Sequence, residues 1–169
     1  MTIEEAINTG IEYELRVMKV YSEAAKKFKD PVARKIFMVL ADEEDRHVAY
    51  LESRLEEWQK TGKVTPEALE TAIPSEEEID RAMGRLTRRM SEQDFGDELQ
   101  MLKKALALEM EATGFFRRMV AELQHEERGL FERFVEIEAG HEAIVQAEID
   151  ALTGLGFWFD YAEFKLEGG

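Results

Sequence analysis

Apolar residues recur along this chain every three to four positions, the spacing of one face of an α-helix, in four long stretches. In the first, Ile7, Ile11, Val17, Met18, Tyr21, Ala25 and Phe28 share a face, while Glu5, Glu12, Arg16 and Lys19 take the opposite one. The second stripe is Phe37, Leu40, Ala41, Val48, Leu51 and Leu55; the third runs from Leu102 through Ala105, Ala112 and Phe116 to Leu123. The fourth is Phe131, Phe134, Val135, Val145, Ile149 and Leu152. No stretch of the body alternates with the period of two that a half-buried strand requires.

Capping residues set the predicted ends. Thr2-Ile-Glu-Glu5 reads as a capping box, in which hydroxyl and carboxylate satisfy each other's orphan backbone N–H groups. The first helix is expected to reach Lys29. Asp30-Pro31 then supplies an N-cap and a proline at the first helical position, where its missing N–H costs nothing. The second helix ends near Gly62, and the third runs from Asp97 to Leu123. The pattern weakens at Gln124-His125-Glu126, and the fourth helix continues to Gly154, a left-handed C-cap. Between the second and third helices, Thr65-Pro66 and Ser75-Glu76-Glu77-Glu78 open two shorter helical pieces, expected at 66–73 and 75–90. The expectation is an all-α four-helix bundle over 1–154, with a long, partly helical crossover at 62–96 that traverses the bundle. Residues 155–169 carry Phe157, Trp158, Phe159, Tyr161 and Phe164, and this aromatic C-terminal tail is expected to strap across the bundle or a subunit interface.

Six polar side chains stand on the wrong face. Glu14 lies within the first apolar stripe, Glu44 and His47 within the second, Glu109 within the third, and Glu138 and His141 within the fourth. An ionised carboxylate buried without a partner costs several kcal/mol, roughly, and takes up a proton instead. No Lys or Arg occupies an equivalent inward position, so four Glu and two His in one core imply bound cations. Two divalent ions carry +4 against the −4 of the carboxylates. Imidazole with carboxylate suits iron, manganese or zinc, and Glu-x-x-His offers both from adjacent turns of one helix. With 29 Glu among 169 residues a single Glu-x-x-His is a weak motif. Its weight comes from duplication: Glu14 precedes Glu44 by 30 residues and Glu109 precedes Glu138 by 29. In antiparallel hairpins that spacing brings all four carboxylates to similar heights.

Composition narrows the class. The formal net charge is −15, from 22 Lys+Arg and 37 Asp+Glu, without a basic patch, which argues against nucleic acid. At 44% hydrophobic residues the chain can bury a core, so the acid is not the mark of a disordered tail. Zero Cys excludes disulfides, thiolate metal sites and thiol catalysis. No apolar run approaches a membrane span and Met-Thr-Ile-Glu-Glu is no signal peptide, so a cytoplasmic protein is expected. His125 falls at the second turn and is expected to face solvent. Met18, Met101, Met110 and Met119 are expected as core filler, since thioethers do not suit a hard-donor site. Tyr21, two turns after Glu14, is placed to hydrogen-bond a ligand carboxylate; Phe116, at the equivalent place after Glu109, is not.

Glu14, Glu44-Asp45-Arg46-His47, Glu109 and Glu138-Ala139-Gly140-His141 resemble the ligand set of the ferritin-like di-iron carboxylate proteins. Leu40-Ala41-Asp42-Glu43-Glu44-Asp45-Arg46-His47 is especially similar to the rubrerythrin branch, as is the spacing Glu14, Tyr21, Ala25. The resemblance covers residues 2–154. It implies two iron ions, with Glu44 and Glu138 bridging, Glu14 and Glu109 terminal and one His on each ion. It also implies reduction of hydrogen peroxide or oxygen in defence against oxidative stress, with Tyr21 as a candidate for radical quenching or ligand orientation. Rubrerythrins often carry a four-Cys rubredoxin domain; that module is expected to be absent here, so an external donor, rubredoxin-like or a flavoprotein, would be required. They also usually carry a further carboxylate three residues after the third-helix ligand, where this chain has Ala112, which leaves a symmetric six-ligand set. A ferroxidase or iron-handling protein is the alternative, and a non-catalytic metal-bound bundle a third. A homodimer is expected, and the hairpins could exchange between chains through the crossover.

Overall fold

The computed structural model describes residues 1–75, 77–79 and 96–153, apart from the side chain of His125. Among the described residues four long α-helices form the body: α1 Ile3–Lys27, α2 Pro31–Thr61, α3 Gly96–Glu122 and α4 His125–Leu152. Among the described residues there is no strand. The capping box forms, with Glu5 N–H on Thr2 Oγ1 at 3.2 Å and Thr2 N–H on the Glu5 carboxylate at 2.9 Å. Asp30 Oδ1 accepts from the N–H groups of Val32 and Ala33, and Pro31 stands at the first helical position. Gly62 closes α2 at φ +67°, a left-handed conformation that glycine adopts without Cβ strain. The expected cap at Gly154 and the aromatic tail lie outside the described residues. Among those residues no helix is long and apolar enough to cross a membrane.

Within each hairpin the helices are antiparallel, and α1 packs on α3, also antiparallel. Tyr21 meets Glu109, Arg16 meets Glu111, and the Lys29 N–H donates to Glu98 at 2.9 Å. Two apolar clusters fill the interior. One holds Val17, Tyr21, Phe28, Phe37, Leu40, Leu102 and Ile144; the other holds Ile7, Leu51, Phe116, Phe131, Phe134 and Ile137. Each fully buried large side chain contributes roughly 1.5–3 kcal/mol. The six inward polar residues fall in the layer between the clusters. Met119 is buried and Met18 and Met101 half-buried, as core filler should be, but Met110 is 58% exposed and belongs to the surface.

The first part of the crossover is not helical. Residues 63–71 carry no regular structure, against the expected helix at 66–73; residues 77–79 are helical, after Ser75 and Glu78 cap one another, and the rest of the piece expected at 75–90 lies outside the described residues. Side chains on the helices have taken the backbone groups that a helix would use internally. Arg54 donates to the Thr65 carbonyl at 2.8 Å, Tyr50 donates to the Glu67 carbonyl and accepts from its N–H, and Arg133 donates to the Leu69 carbonyl at 3.0 Å. The segment runs antiparallel to α2 and parallel to α4, along the groove between them. Gly140 permits the closest approach, since a Cβ there would lie 2.9 Å from the Pro74 carbonyl oxygen.

Candidate metal centre

Each hairpin delivers its inward carboxylates at mid-helix, where antiparallel packing brings them together. Glu14, Glu44, His47, Glu109, Glu138 and His141 are all at most 1% exposed. They form two overlapping groups: Glu14, Glu44, His47 and Glu138 in one, Glu44, Glu109, Glu138 and His141 in the other, each with its ligand atoms within 4.8 Å of one another. Glu44 and Glu138 belong to both. The imidazoles stack nearly parallel, 9° apart with ring centroids at 5.6 Å. Both turn Nδ1 towards the carboxylates: His47 Nδ1 lies 2.9 Å from Glu14 and 3.3 Å from Glu44, and His141 Nδ1 lies 2.8 Å from Glu44 and 3.2 Å from Glu138.

The electrostatics show what such a layer lacks. Burial pushes the Glu14 carboxyl well above its ordinary range, reinforced by Glu138 and Glu44, and burial does the same to Glu109. Burial alone would lower both imidazoles, but the surrounding carboxylates, Glu44 for His47 and Glu138 with Glu44 for His141, hold them well above the ordinary value. Burial would raise Glu44 and Glu138 too, yet the two imidazoles outweigh it and hold both low. Without cations the layer therefore favours protons on Glu14, Glu109, His47 and His141, with Glu44 and Glu138 ionised. Even so, among the described residues Glu14 Oε1, both oxygens of Glu44, Glu109 Oε2 and Glu138 Oε1 have no well-aligned hydrogen-bond donor. So many orphaned acceptors converging in a dry layer fit divalent cations, which can replace the four protons charge for charge.

Two further residues complete the surroundings. The Tyr21 hydroxyl donates to Glu109 Oε1, on the opposite hairpin rather than to Glu14 on its own helix. Burial, then the charges of Glu109 and Glu44, raise the phenol, so it stays protonated as a donor. Glu43 was missed by sequence reasoning. It is 1% exposed and accepts from Thr71 Oγ1 at 2.6 Å, from the Ala72 N–H and from Arg46, and it lies 3.1 Å from His141 Nε2. Its signal was present: it stands one helical turn after Leu40 and one before His47, but beside Asp42, Glu44 and Asp45 it reads as one of an acidic run. Glu111 is exposed and paired with Arg16 at 3.2 Å, as its outward position implies, and Ala112 is fully buried.

The rubrerythrin family's sequence profile matches residues 5–149. A hypothetical protein from Pyrococcus furiosus has the same fold, with a TM-score of 0.66 and 22% identity over 94% of each chain. No curated protein matches the chain significantly. A profile match over most of the chain, on a ferritin-like all-α bundle whose buried carboxylates and imidazoles are compatible with a di-iron site, leads to one conclusion: this chain belongs to the rubrerythrin family.

Proposed function

We propose that the protein is a non-haem di-iron oxidoreductase that reduces hydrogen peroxide, with Glu44 and Glu138 shared between two iron ions, Glu14 and His47 serving one and Glu109 and His141 the other. The observation that carries this reading is the pair of overlapping ligand groups with Glu44 and Glu138 common to both. Two ferrous ions held there would supply the two electrons that, with two protons, convert one peroxide to two waters. The chain's own residues do the rest. The apolar clusters on either side exclude bulk water, the carboxylates fix the ions, and Tyr21 holds Glu109 in one orientation as a protonated donor. In this reading a separate donor, rubredoxin-like or a flavoprotein, supplies the electrons that restore the ferrous state. Manganese or zinc satisfies the same donor set but not the same redox role.

Ala112 supports a second reading. By resemblance, that position in rubrerythrins carries a further carboxylate, and here it is a buried methyl. A six-ligand set without it suits a ferroxidase that oxidises iron and passes it on. Anaerobic loading with two Fe(II), followed by rapid mixing with peroxide or oxygen, separates the two. Much faster oxidation by peroxide with iron retained supports the peroxidase. Release of iron or mineral growth supports the ferroxidase, and inertness towards both oxidants leaves a closed, non-catalytic metal site.

A further inference from the structure

The two halves of the metal layer are related by an approximate twofold: α1–α2 repeats as α3–α4, with Glu14 matching Glu109 and Glu44-x-x-His47 matching Glu138-x-x-His141. The groups behind the ligands break that symmetry. On one side Glu109 receives the Tyr21 hydroxyl, and Glu43 lies 3.1 Å from His141 Nε2. Glu43 is itself fixed by Thr71, the Ala72 N–H and Arg46, so His141 is backed by a carboxylate that cannot swing away. On the other side the residue matching Tyr21 is Phe116, packed against Gly10 one turn before Glu14. The residue matching Glu43, one before Glu138, is Ile137, buried in the apolar cluster with Phe134. Among the described residues His47 Nε2 accordingly has no hydrogen-bond partner, whereas Glu14 and Glu109 each keep one oxygen free.

A partner on the far nitrogen fixes a ligating imidazole's orientation and raises its basicity, and removing such a partner typically costs about 10–100-fold in metal affinity. We infer that the two cation positions are unequal by construction: the one formed with Glu109 and His141 fills first and retains its ion, and the one formed with Glu14 and His47 exchanges. This rests on the cation-binding reading above but not on any oxidant chemistry. Glu43 and Tyr21 act as positioning residues, through His141 and Glu109.

Two-step binding alone would not establish the inference, because the second ion always meets bridging carboxylates already neutralised by the first. The test must locate the first ion. Crystals of the full chain loaded with one equivalent of Co(II) are examined by anomalous scattering at the two positions. The expected occupancy at the His141 side exceeds that at the His47 side by about ten-fold or more. Glu43→Leu should remove most of that excess, whereas Glu43→Gln, whose amide oxygen still accepts from Nε2–H, should keep it. Should Glu43→Leu fail to fold, Tyr21→Phe leaves the crossover contacts intact and should shrink the ratio. Equal occupancy, or an excess at His47, overturns the inference while leaving the metal site standing. Absence of Co(II) from both positions at excess loading overturns the metal site itself.

Discussion

Tyr21 on α1 donates its hydroxyl hydrogen to Glu109 on α3, so a phenol from one hairpin orients a carboxylate of the other. Tyr21→Phe keeps the ring packing against Phe37 but leaves Glu109 Oε1 without its donor. Losing a hydrogen bond to a buried acceptor costs about 1–3 kcal/mol. The metal-free variant should unfold at correspondingly lower denaturant, and urea titration of both proteins checks this. An unchanged midpoint would mean that the bond carries no net stability.

Protonation of the layer sets a pH dependence with a definite sign. Glu14, Glu109, His47 and His141 bind protons more tightly folded than unfolded, since each is raised from its ordinary value of 4.5 or 6.5. Their contribution is full below those ordinary values and is lost as pH rises through the raised ones. Glu44 and Glu138 are lowered, so their contribution is present above 4.5 and is lost as pH falls through the lowered values. The Tm of the metal-free protein should therefore fall as pH rises above the ordinary carboxyl value of 4.5, and further above the ordinary imidazole value of 6.5. A metal-loaded sample should not show this fall, because cations take the place of the protons. Loading divalent ions should release protons, measurable in weakly buffered solution.

Three glycines give an internal control on packing. At Gly140 a Cβ would meet the Pro74 carbonyl oxygen at 2.9 Å, a backbone atom that cannot rotate aside. At Gly114 the nearest atom is the end of Arg118, 4.0 Å away, and at Gly129 it is the Pro66 ring at 3.2 Å. Mid-helix, Gly→Ala gains about 0.5–1 kcal/mol where there is room, and overpacking costs about 1–3 kcal/mol where there is not. Gly114→Ala should stabilise and Gly140→Ala destabilise, with Gly129→Ala between them. The same order in chemical denaturation midpoints is the expected outcome; a stabilising Gly140→Ala would show that the crossover does not press on α4 there.

The bundle was legible in the sequence because burial and helical period coincide: nearly every residue placed on an apolar stripe is buried or half-buried, and the capping residues at Thr2, Asp30 and Gly62 act as read. The inward carboxylates were legible for the same reason, since a Glu among Leu, Val and Phe at helical spacing breaks a strong pattern. The crossover was not. Thr65-Pro66 resembles a helix start, and only the tertiary acceptors and donors of Tyr50, Arg54, Arg133 and Glu43 make an irregular path more favourable there. Tyr21 shows the same limit. Its distance from Glu14 along α1 is a one-helix fact, while its partner Glu109 is set by how the hairpins dock.

The central claim is that the buried layer is a two-cation site with Glu44 and Glu138 shared. Anaerobic titration of the full chain with Fe(II) tests it most directly, read by calorimetry and by metal content after desalting. Two ions per chain are expected for the wild type. Replacing both Glu44 and Glu138 with Ala should abolish stoichiometric binding while far-UV circular dichroism stays helical. Undiminished loading of that folded double variant, or a wild type that binds no iron, would contradict the claim.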